Sequence, residues 1–518
     1  MLTRSAGILI PLFSLRTRDS LGRGEIADLA AMIDFALAMG HRAIQLLPLD
    51  ETAPGQLSPY SAMSVQAIDP MYIAMRGLGG VGRVVLGRAR QNIGNARVVP
   101  GEVVRREKLA LLSRAFRASR ARGGRDEGAA LDAFVQANGD WIHDYALFRA
   151  LKNRFEWSNW ESWPRELMNR EPEALAAARR ELAGEIEMYC YWQFIAHRQW
   201  TEIREYASSR GAVLGGDLAF SPGRESAEVW ANQDHFDLTR TVGAPPDAFN
   251  TKGQRWGLPL PNWARMRADG YKILRSRVRR ASALYDLIRI DHVVGLYRTF
   301  NFGADATQPG IFTPADEGQQ RTQGEEIMNA IKREAGTQMT IIAEDLGTVP
   351  PWVRQSLTGL GVAGYKVMQW ERMNWDSPAE TFLSPEKYPE LSLATTGTHD
   401  TEALTIWWRE QSVGERTKLV RALGVEASVN PREMLNRRAR AAILGALYGA
   451  PSHLVLTPFQ DLFGWSAQIN RPGVVGDSNW TYRLPLTIEN LRRSRAIRSQ
   501  VAVVLEIAVR SGRFGAEG

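Results

Sequence analysis

Three short apolar segments, each running into an acidic residue, limit what this chain can fold into more than any other feature. They are Leu287-Ile288-Arg289-Ile290-Asp291, Thr340-Ile341-Ile342-Ala343-Glu344 and the longer Leu393-Ala394-Thr395-Thr396-Gly397-Thr398-His399-Asp400. Side chains of a strand alternate between its two faces, so Leu287, Arg289 and Asp291 share one face and Ile288 and Ile290 the other. Three strands with carboxylates at their C-terminal ends suit a (β/α)8 barrel, in which strand ends and βα loops converge on one active-site face. A single such acid reads as a strand-end cap or an ion-pair partner. Three at barrel-like intervals point to chemistry.

The remaining strands are found by the same pattern. Residues 6–10, 43–47 and 213–217 precede the segment at 287, and residues 365–369 and 454–457 complete a set of eight. Helical periodicity fills the gaps at 25–39, 263–284, 324–334, 352–360 and 488–510, with Gly40 as a stop signal after the first. The fold class is therefore α/β, a (β/α)8 TIM barrel with helical insertions, chiefly after strand two, and a long loop after strand three. Residues 1–518 are expected to form one catalytic barrel, with 50–210 a largely helical insertion within it. Residues 218–262, carrying Trp230, Phe236, Phe249 and Trp256, are expected to be an aromatic loop region over the active site. Inside the insertion, long helices are expected at 131–155 and 173–209, with Trp157, Trp160 and Trp163 crowding the loop between them. The basic helix at 102–122 is expected to present a solvated face.

Composition excludes several function classes. A net charge of +7 invites a nucleic-acid reading, but the basic residues are spread along helices with no nucleic-acid-binding signature. The single Cys190 excludes an intrachain disulfide and suits a reducing cytoplasm. No signal peptide is recognisable, and no apolar run is long enough to span a membrane. The seven histidines show no HExxH; His292 and His399, each beside an aspartate, are the candidates for a metal site, but no metal or cofactor is expected. Gly215-Gly216 lacks a following GxGxxG, so a dinucleotide site is not expected. Oligomeric state is not readable.

Carboxylates at a barrel mouth suit glycoside chemistry, where one attacks or activates and another protonates the leaving oxygen. Asp291 shares a face with Arg289, a cation that would hold it ionised as a nucleophile requires. Glu344 follows an apolar run, where burial would raise its pKa and keep it protonated as the acid. Asp345 points to the opposite face of its strand and is the weaker candidate. Asp400, with His399, is placed to bind sugar hydroxyls.

The ordered motifs carry a family resemblance. Gly7-Ile8-Leu9, Gln45-Leu46-Leu47-Pro48-Leu49, Ser58-Pro59-Tyr60-Ser61, Asp144-Tyr145-Ala146-Leu147-Phe148, Ser226-Ala227-Glu228-Val229-Trp230, Ala244-Pro245-Pro246-Asp247 and Gly253-Gln254-Arg255-Trp256-Gly257 come first. Arg289-Ile290-Asp291-His292, Ala343-Glu344-Asp345-Leu346-Gly347, Gly397-Thr398-His399-Asp400, Gln460-Asp461-Leu462 and Asn470-Arg471-Pro472-Gly473 follow. Nearly end to end, the chain resembles the amylomaltases, the 4-α-glucanotransferases (disproportionating enzymes) of glycoside hydrolase family 77. The resemblance implies a retaining transfer of α-1,4-glucan segments from maltooligosaccharides or amylose to glucose or another glucan. In it Asp291 matches the nucleophile, Glu344 the general acid/base, and Asp400 the carboxylate that holds sugar hydroxyls in the transition state. Arg289, His292 and His399 would line the same subsite with Asp217, and Tyr60 would stack on a sugar. Gln254, Trp256, Asp247 and Asn470 fall in segments that bind the glucan chain. No cofactor or metal is implied.

Some positions depart from the family pattern. Ala219 follows Asp217-Leu218 where proline is usual, and Glu225 stands where an aspartate precedes Ser-Ala-x-Val-Trp. Ala248 replaces a common aromatic, residues 51–57 lack a tyrosine often found there, and Thr401-Glu402 replaces Asn-Asp. None of these touches the three carboxylates. They bear on acceptor binding, chain length and any secondary glucan site. An α-glucan hydrolase using the same carboxylates, and a glucan-binding barrel without catalysis, are the rival readings.

Overall fold

The computed structural model describes residues 4–94, 101–123, 125–246, 253–305, 308–374, 377, 379–474, 476 and 478–515. Eight strands close into a barrel: β1 (Ser5–Leu9), β2 (Ala43–Gln45), β3 (Val213–Leu218), β4 (Leu287–Ile290), β5 (Thr340–Ala343), β6 (Ala363–Val367), β7 (Ser392–Thr395) and β8 (Leu454–Pro458). Each pairs in parallel with its neighbours in chain order, and β8 returns to β1. The alternation expected at residue 287 is realised. Leu287 packs inside the barrel with Ala43, Ile342, Tyr365 and Leu393, while Ile288 and Ile290 face the helices. Register then sets Arg289 level with Asp217 on one side and Ile342 on the other.

Gly215 and Gly216 make room for neighbours. A β-carbon at 215 would stand 2.5 Å from Gln45 Oε1 inside the barrel, and one at 216 would stand 2.3 Å from the Tyr285 ring outside it. The seam between first and last strands is held by a cation. Arg513, 2 % exposed and following the helix Arg495–Arg510, donates to the carbonyls of Ser5 (3.0 Å), Tyr448 (2.8 Å) and Ala450 (2.7 Å).

Elements outside the barrel differ from the sequence expectation in definite ways. The stretch after β2 begins with an antiparallel hairpin, Asp50–Thr52 with Ala62–Ile68, before its helices start. The region after β3 contains strands Phe236–Ala244 and Gln254–Pro261, which join Thr299–Phe302 and Ile311–Thr313 in a four-stranded sheet. Pro259 and Pro261 obscure the second of these in the sequence, since proline removes a ladder donor. The helix expected at 263–284 is two helices, because Gly270 (φ +71°) and Tyr271 (φ +59°) are successive left-handed residues that no α-helix accommodates. The one expected at 131–155 divides into Arg125–Ala137 and Ile142–Arg154, and that at 173–209 breaks at Leu182. At the C-terminal end Ser494 interrupts 488–510, its hydroxyl accepting from Ile497 N–H to cap a new helix.

The basic helix Gly101–Arg122 is not merely a solvated face. Val104, Leu111, Leu112 and Ala115 are buried. So is Lys108, whose ammonium donates to Glu25 Oε1 and to the Met71 carbonyl, both at 2.6 Å. The rest of the insertion is pinned in the same way. Glu51 of the hairpin accepts from Arg149 (3.0 Å) and from the Tyr145 hydroxyl. Trp160 donates to the Arg224 carbonyl at 2.8 Å, and Trp163 packs on Phe148 and Trp230. Breaking a buried pair from one side strands the other charge at a cost of about 3–5 kcal/mol. Lys108→Ala is therefore expected to lower the melting temperature by several degrees in scanning calorimetry, more than substitution of an exposed arginine such as Arg76.

Candidate active site

The end of β4 places the centre of the site. Arg289, 5 % exposed, lies among carboxylates from three strands. Its Nη1 donates to both Asp217 oxygens (2.7 and 2.8 Å), and its Nη2 meets Asp291 Oδ1 at 2.9 Å and Glu344 Oε2 at 3.6 Å. Burial alone would push the guanidinium's pKa down, yet Asp217, Tyr60, Asp291 and Glu344 raise it well above its ordinary value. The cation is permanent. Burial raises Asp217, against the pull of Arg289. Burial also drives Glu344 up to about 8, with Arg289 opposing and Asp291 adding to the rise. The sequence shows no basic neighbour beside Glu344, but the fold supplies one across the strand pair. Asp345 points the other way, accepting from Tyr365 N–H at 2.7 Å and from Arg354 at 3.1 Å.

A second group is built from the loops after β7 and β8. Asp400 accepts from Asn470 Nδ2 at 2.6 Å and lies 3.4 Å from His399 Nε2. Asn470 N–H also donates to the His399 carbonyl, so two bonds join these loops. Beneath them Asp461, buried and raised to about 6 by that burial, accepts from the Thr396 hydroxyl (2.6 Å) and Leu404 N–H (2.8 Å). Tyr60 bridges the two groups. Its hydroxyl donates to Asp217 Oδ2 at 2.7 Å, and its ring stacks on His399 with centroids 5.3 Å apart.

The structure thus brings together Asp291, Glu344, Arg289, Asp217 and Tyr60 around one guanidinium, and joins Asp400, His399 and Asn470 to them through Tyr60. Gln254 and Trp256 stand on the hairpin after β3, bonded to each other at 3.3 Å, with Trp256 edge-on to the His292 ring at 4.7 Å. Asp247 lies outside the described residues. Sequence reading missed Trp480, whose ring tilts over both Tyr60 and His399, and gave Asp461 no role. The available signal for Trp480 was an aromatic in the loop after the eighth strand; for Asp461 there was only the Gln460-Asp461-Leu462 match. The histidines considered for a metal are enclosed by rings: His292 by Trp256 and Phe220, His399 by Tyr60 and Trp480. Among the described residues no group of three or more His, Cys, Asp or Glu side chains is placed to hold a metal ion, and no helix is long and apolar enough to cross a membrane.

A closed (β/α)8 barrel whose mouth gathers acids from several strand ends around one buried guanidinium stands among the carbohydrate-active barrel enzymes. The 4-alpha-glucanotransferase family model matches residues 10–487. The 4-alpha-glucanotransferase of Thermus thermophilus is 32% identical over 477 residues, covering 89% of this chain and 92% of that protein. That of Chlamydia trachomatis is 30% identical over 505 residues, covering 95% and 93%. An amylomaltase from Streptococcus agalactiae, solved in complex with acarbose, superposes with a TM-score of 0.84 at 26% identity, covering 99% of this chain and all of that one. The chain belongs to the 4-α-glucanotransferases, glycoside hydrolase family 77.

Removing the shared cation gives a test of the electrostatics that is independent of activity. Without Arg289, buried Asp217 and Glu344 bind protons still more tightly than in the unfolded chain. The variant then goes on losing stability above about pH 8, where wild-type Glu344 has ionised. The melting-temperature gap between wild type and Arg289→Met is expected to widen most as pH rises above about 8, the wild-type value of Glu344. A constant gap would mean that the arginine contributes packing rather than charge.

Proposed function

We propose that this chain transfers α-1,4-glucan segments by retaining double displacement, with Asp291 as nucleophile and Glu344 as acid and base. The observation that carries the reading is the single Arg289 nitrogen shared by Asp291 Oδ1 at 2.9 Å and Glu344 Oε2 at 3.6 Å. Two oxygens in reach of one atom are separated by no more than the sum of those distances, and by that much only if all three atoms are in line. Such closeness supports a retaining pair, spaced about 5–5.5 Å, over an inverting pair about 6.5–9.5 Å apart that must admit a water.

The two acids have environments that suit two tasks. Asp291, with Oδ1 2.9 Å from the Arg289 cation, attacks the anomeric carbon. Glu344, raised to about 8, is protonated at neutral pH and gives its proton to the departing 4-oxygen. The bond from sugar to leaving oxygen breaks as the bond to Asp291 forms. An acceptor 4-hydroxyl then gives its proton to the Glu344 carboxylate and displaces Asp291, restoring the α configuration. Asp400, oriented by Asn470, and His399 accept and donate to hydroxyls of the sugar at the reacting carbon. Tyr60 offers a sugar only the face that His399 leaves uncovered, while Arg289 and Asp217 close the floor. Gln254 and Trp256 extend the site toward the acceptor, and the substrates are α-1,4-glucans and glucose.

Three outcomes test this. Asp291→Asn keeps the shape and removes the anion, so turnover of maltotriose is expected to fall by about four orders of magnitude or more while the melting temperature changes little. Near-normal turnover would refute the nucleophile. Since Glu344 must be protonated to act, kcat/KM is expected to fall as pH rises past about 8, and Glu344→Gln to abolish transfer. Finally, water competes with the acceptor for the glucosyl-aspartate, and only positioning favours the acceptor. Trp256→Ala is expected to lower the ratio of transferred to hydrolysed glucosyl units from maltotriose. If both rates fall by one factor, Trp256 serves donor binding or packing instead.

A further inference from the structure

His292 stands directly after Asp291, and its backbone lies in the left-handed region at φ +46°. A residue with a β-carbon pays roughly 1–2 kcal/mol to stay there, so its surroundings must hold it. The ring does this. It meets Trp256 at 4.7 Å and Phe220 at 5.6 Å, both near right angles. Gly295 leaves just enough room beside it: a β-carbon there would stand 2.8 Å from the His292 ring and 2.5 Å from Phe220. Burial pushes the imidazole down to about 4, so the ring stays neutral around pH 7.

The left-handed turn aims two successive N–H groups at one residue. His292 donates to Glu344 Oε2 at 2.7 Å, and Val293 donates to the Glu344 main-chain carbonyl at 3.2 Å. Arg289 approaches the same Oε2 at 3.6 Å. Among the described residues nothing donates to Oε1. An oxygen that accepts from a main-chain donor and faces a guanidinium takes the carbonyl-like form, so the proton of the neutral acid belongs on its twin.

We propose that His292 is the positioning residue for Glu344: its left-handed backbone, locked by the ring, directs an N–H at Oε2 and places the acid proton on Oε1. This rests on Glu344 being the acid and base, and deepens that reading. In the first step Oε1–H passes its proton to the leaving oxygen, and the new carboxylate is met at Oε2 by the His292 N–H and Arg289. In the second step Oε1 takes the proton of the acceptor hydroxyl. The other groups facing Glu344 are Asp291 from the same turn, Asp400 from the loop after β7 and the Tyr365 hydroxyl from β6. None of them changes its formal charge when His292 is replaced.

The test compares two substitutions. Asparagine tolerates the left-handed region without the imidazole, whereas β-branched valine disfavours it. Losing the N–H donor removes an interaction that favours ionised Glu344, so its proton is held more tightly and the alkaline limb of kcat/KM moves to higher pH. His292→Val is expected to lower transfer from maltotriose about ten- to a hundred-fold and shift that limb upward. His292→Asn, which tolerates the turn but lacks the ring that locks it, is expected to shift the limb in the same direction by less and to lose less activity. With a glucosyl donor whose leaving group needs no proton, the deficit of His292→Val in the first step should largely vanish. Should His292→Val fail to fold, Phe220→Leu loosens the ring with the backbone sequence intact and should shift the limb in the same direction. An unshifted limb in His292→Val, or in Phe220→Leu in its place, overturns the proposal, as does an equal loss in His292→Asn and His292→Val with no shift. Glu344→Gln run alongside separates the two levels: if it still transfers, the acid/base reading itself has failed.

Discussion

One guanidinium in a nearly dry place decides the character of this site. Bringing Asp217, Asp291 and Glu344 to one barrel mouth without a cation would oppose three anions in low dielectric, and the acids would respond by binding protons. Arg289 removes that conflict unevenly. Nη1 is committed to Asp217, Nη2 contacts Asp291, and Glu344 lies farther out at 3.6 Å. Burial, with Asp291 adding to it, then holds Glu344 at about 8 against the pull of that cation. Asp291 and Glu344 thereby meet different surroundings, and the difference depends on strand register, because Arg289 reaches Asp217 only while β3 and β4 are aligned at that level.

The barrel was legible in the sequence because its signal is local. Each strand is a short apolar run, and alternation at 287–291 assigns faces without any tertiary knowledge. The acids were legible for the same reason, lying at the ends of such runs. What escaped was whatever depends on a partner distant in the chain. Lys108 looks like one more solvated cation until Glu25 and the Met71 carbonyl are brought around it. Trp480 looks like a loop aromatic until Tyr60 and His399 arrive beneath it. The hairpin after β3 was hidden because its second strand carries two prolines. The division at Gly270-Tyr271 was hidden because tyrosine gives no sign of a left-handed backbone.

Outside the barrel, the insertion and the hairpin each bring side chains to the mouth. The insertion contributes Tyr60, just ahead of strand Ala62–Ile68, and its own seating depends on Glu51, Arg149 and Trp160. The hairpin contributes Gln254 and Trp256 and, through Trp256, touches the turn that follows Asp291. The departures at Glu225 and Ala219 lie in this outer region. Glu225 accepts from Lys152 and from Trp160 N–H, so the longer acid still serves to seat the insertion. Ala219 offers its carbonyl to Arg277 from the helix preceding β4.

The seam of the barrel has a consequence for how the molecule is made. Arg513 ties the last strand region to the first, bonding to carbonyls at Ser5, Tyr448 and Ala450. A ribosome delivers Arg513 508 residues after Ser5. Until β8 has been made, β1 therefore has an open edge on the side that β8 will occupy, the kind of unpaired backbone that recruits wrong partners. Closure of the ring, and with it the first moment at which every strand is paired on both sides, waits for Leu454–Pro458 to emerge, and its pinning by Arg513 comes later still.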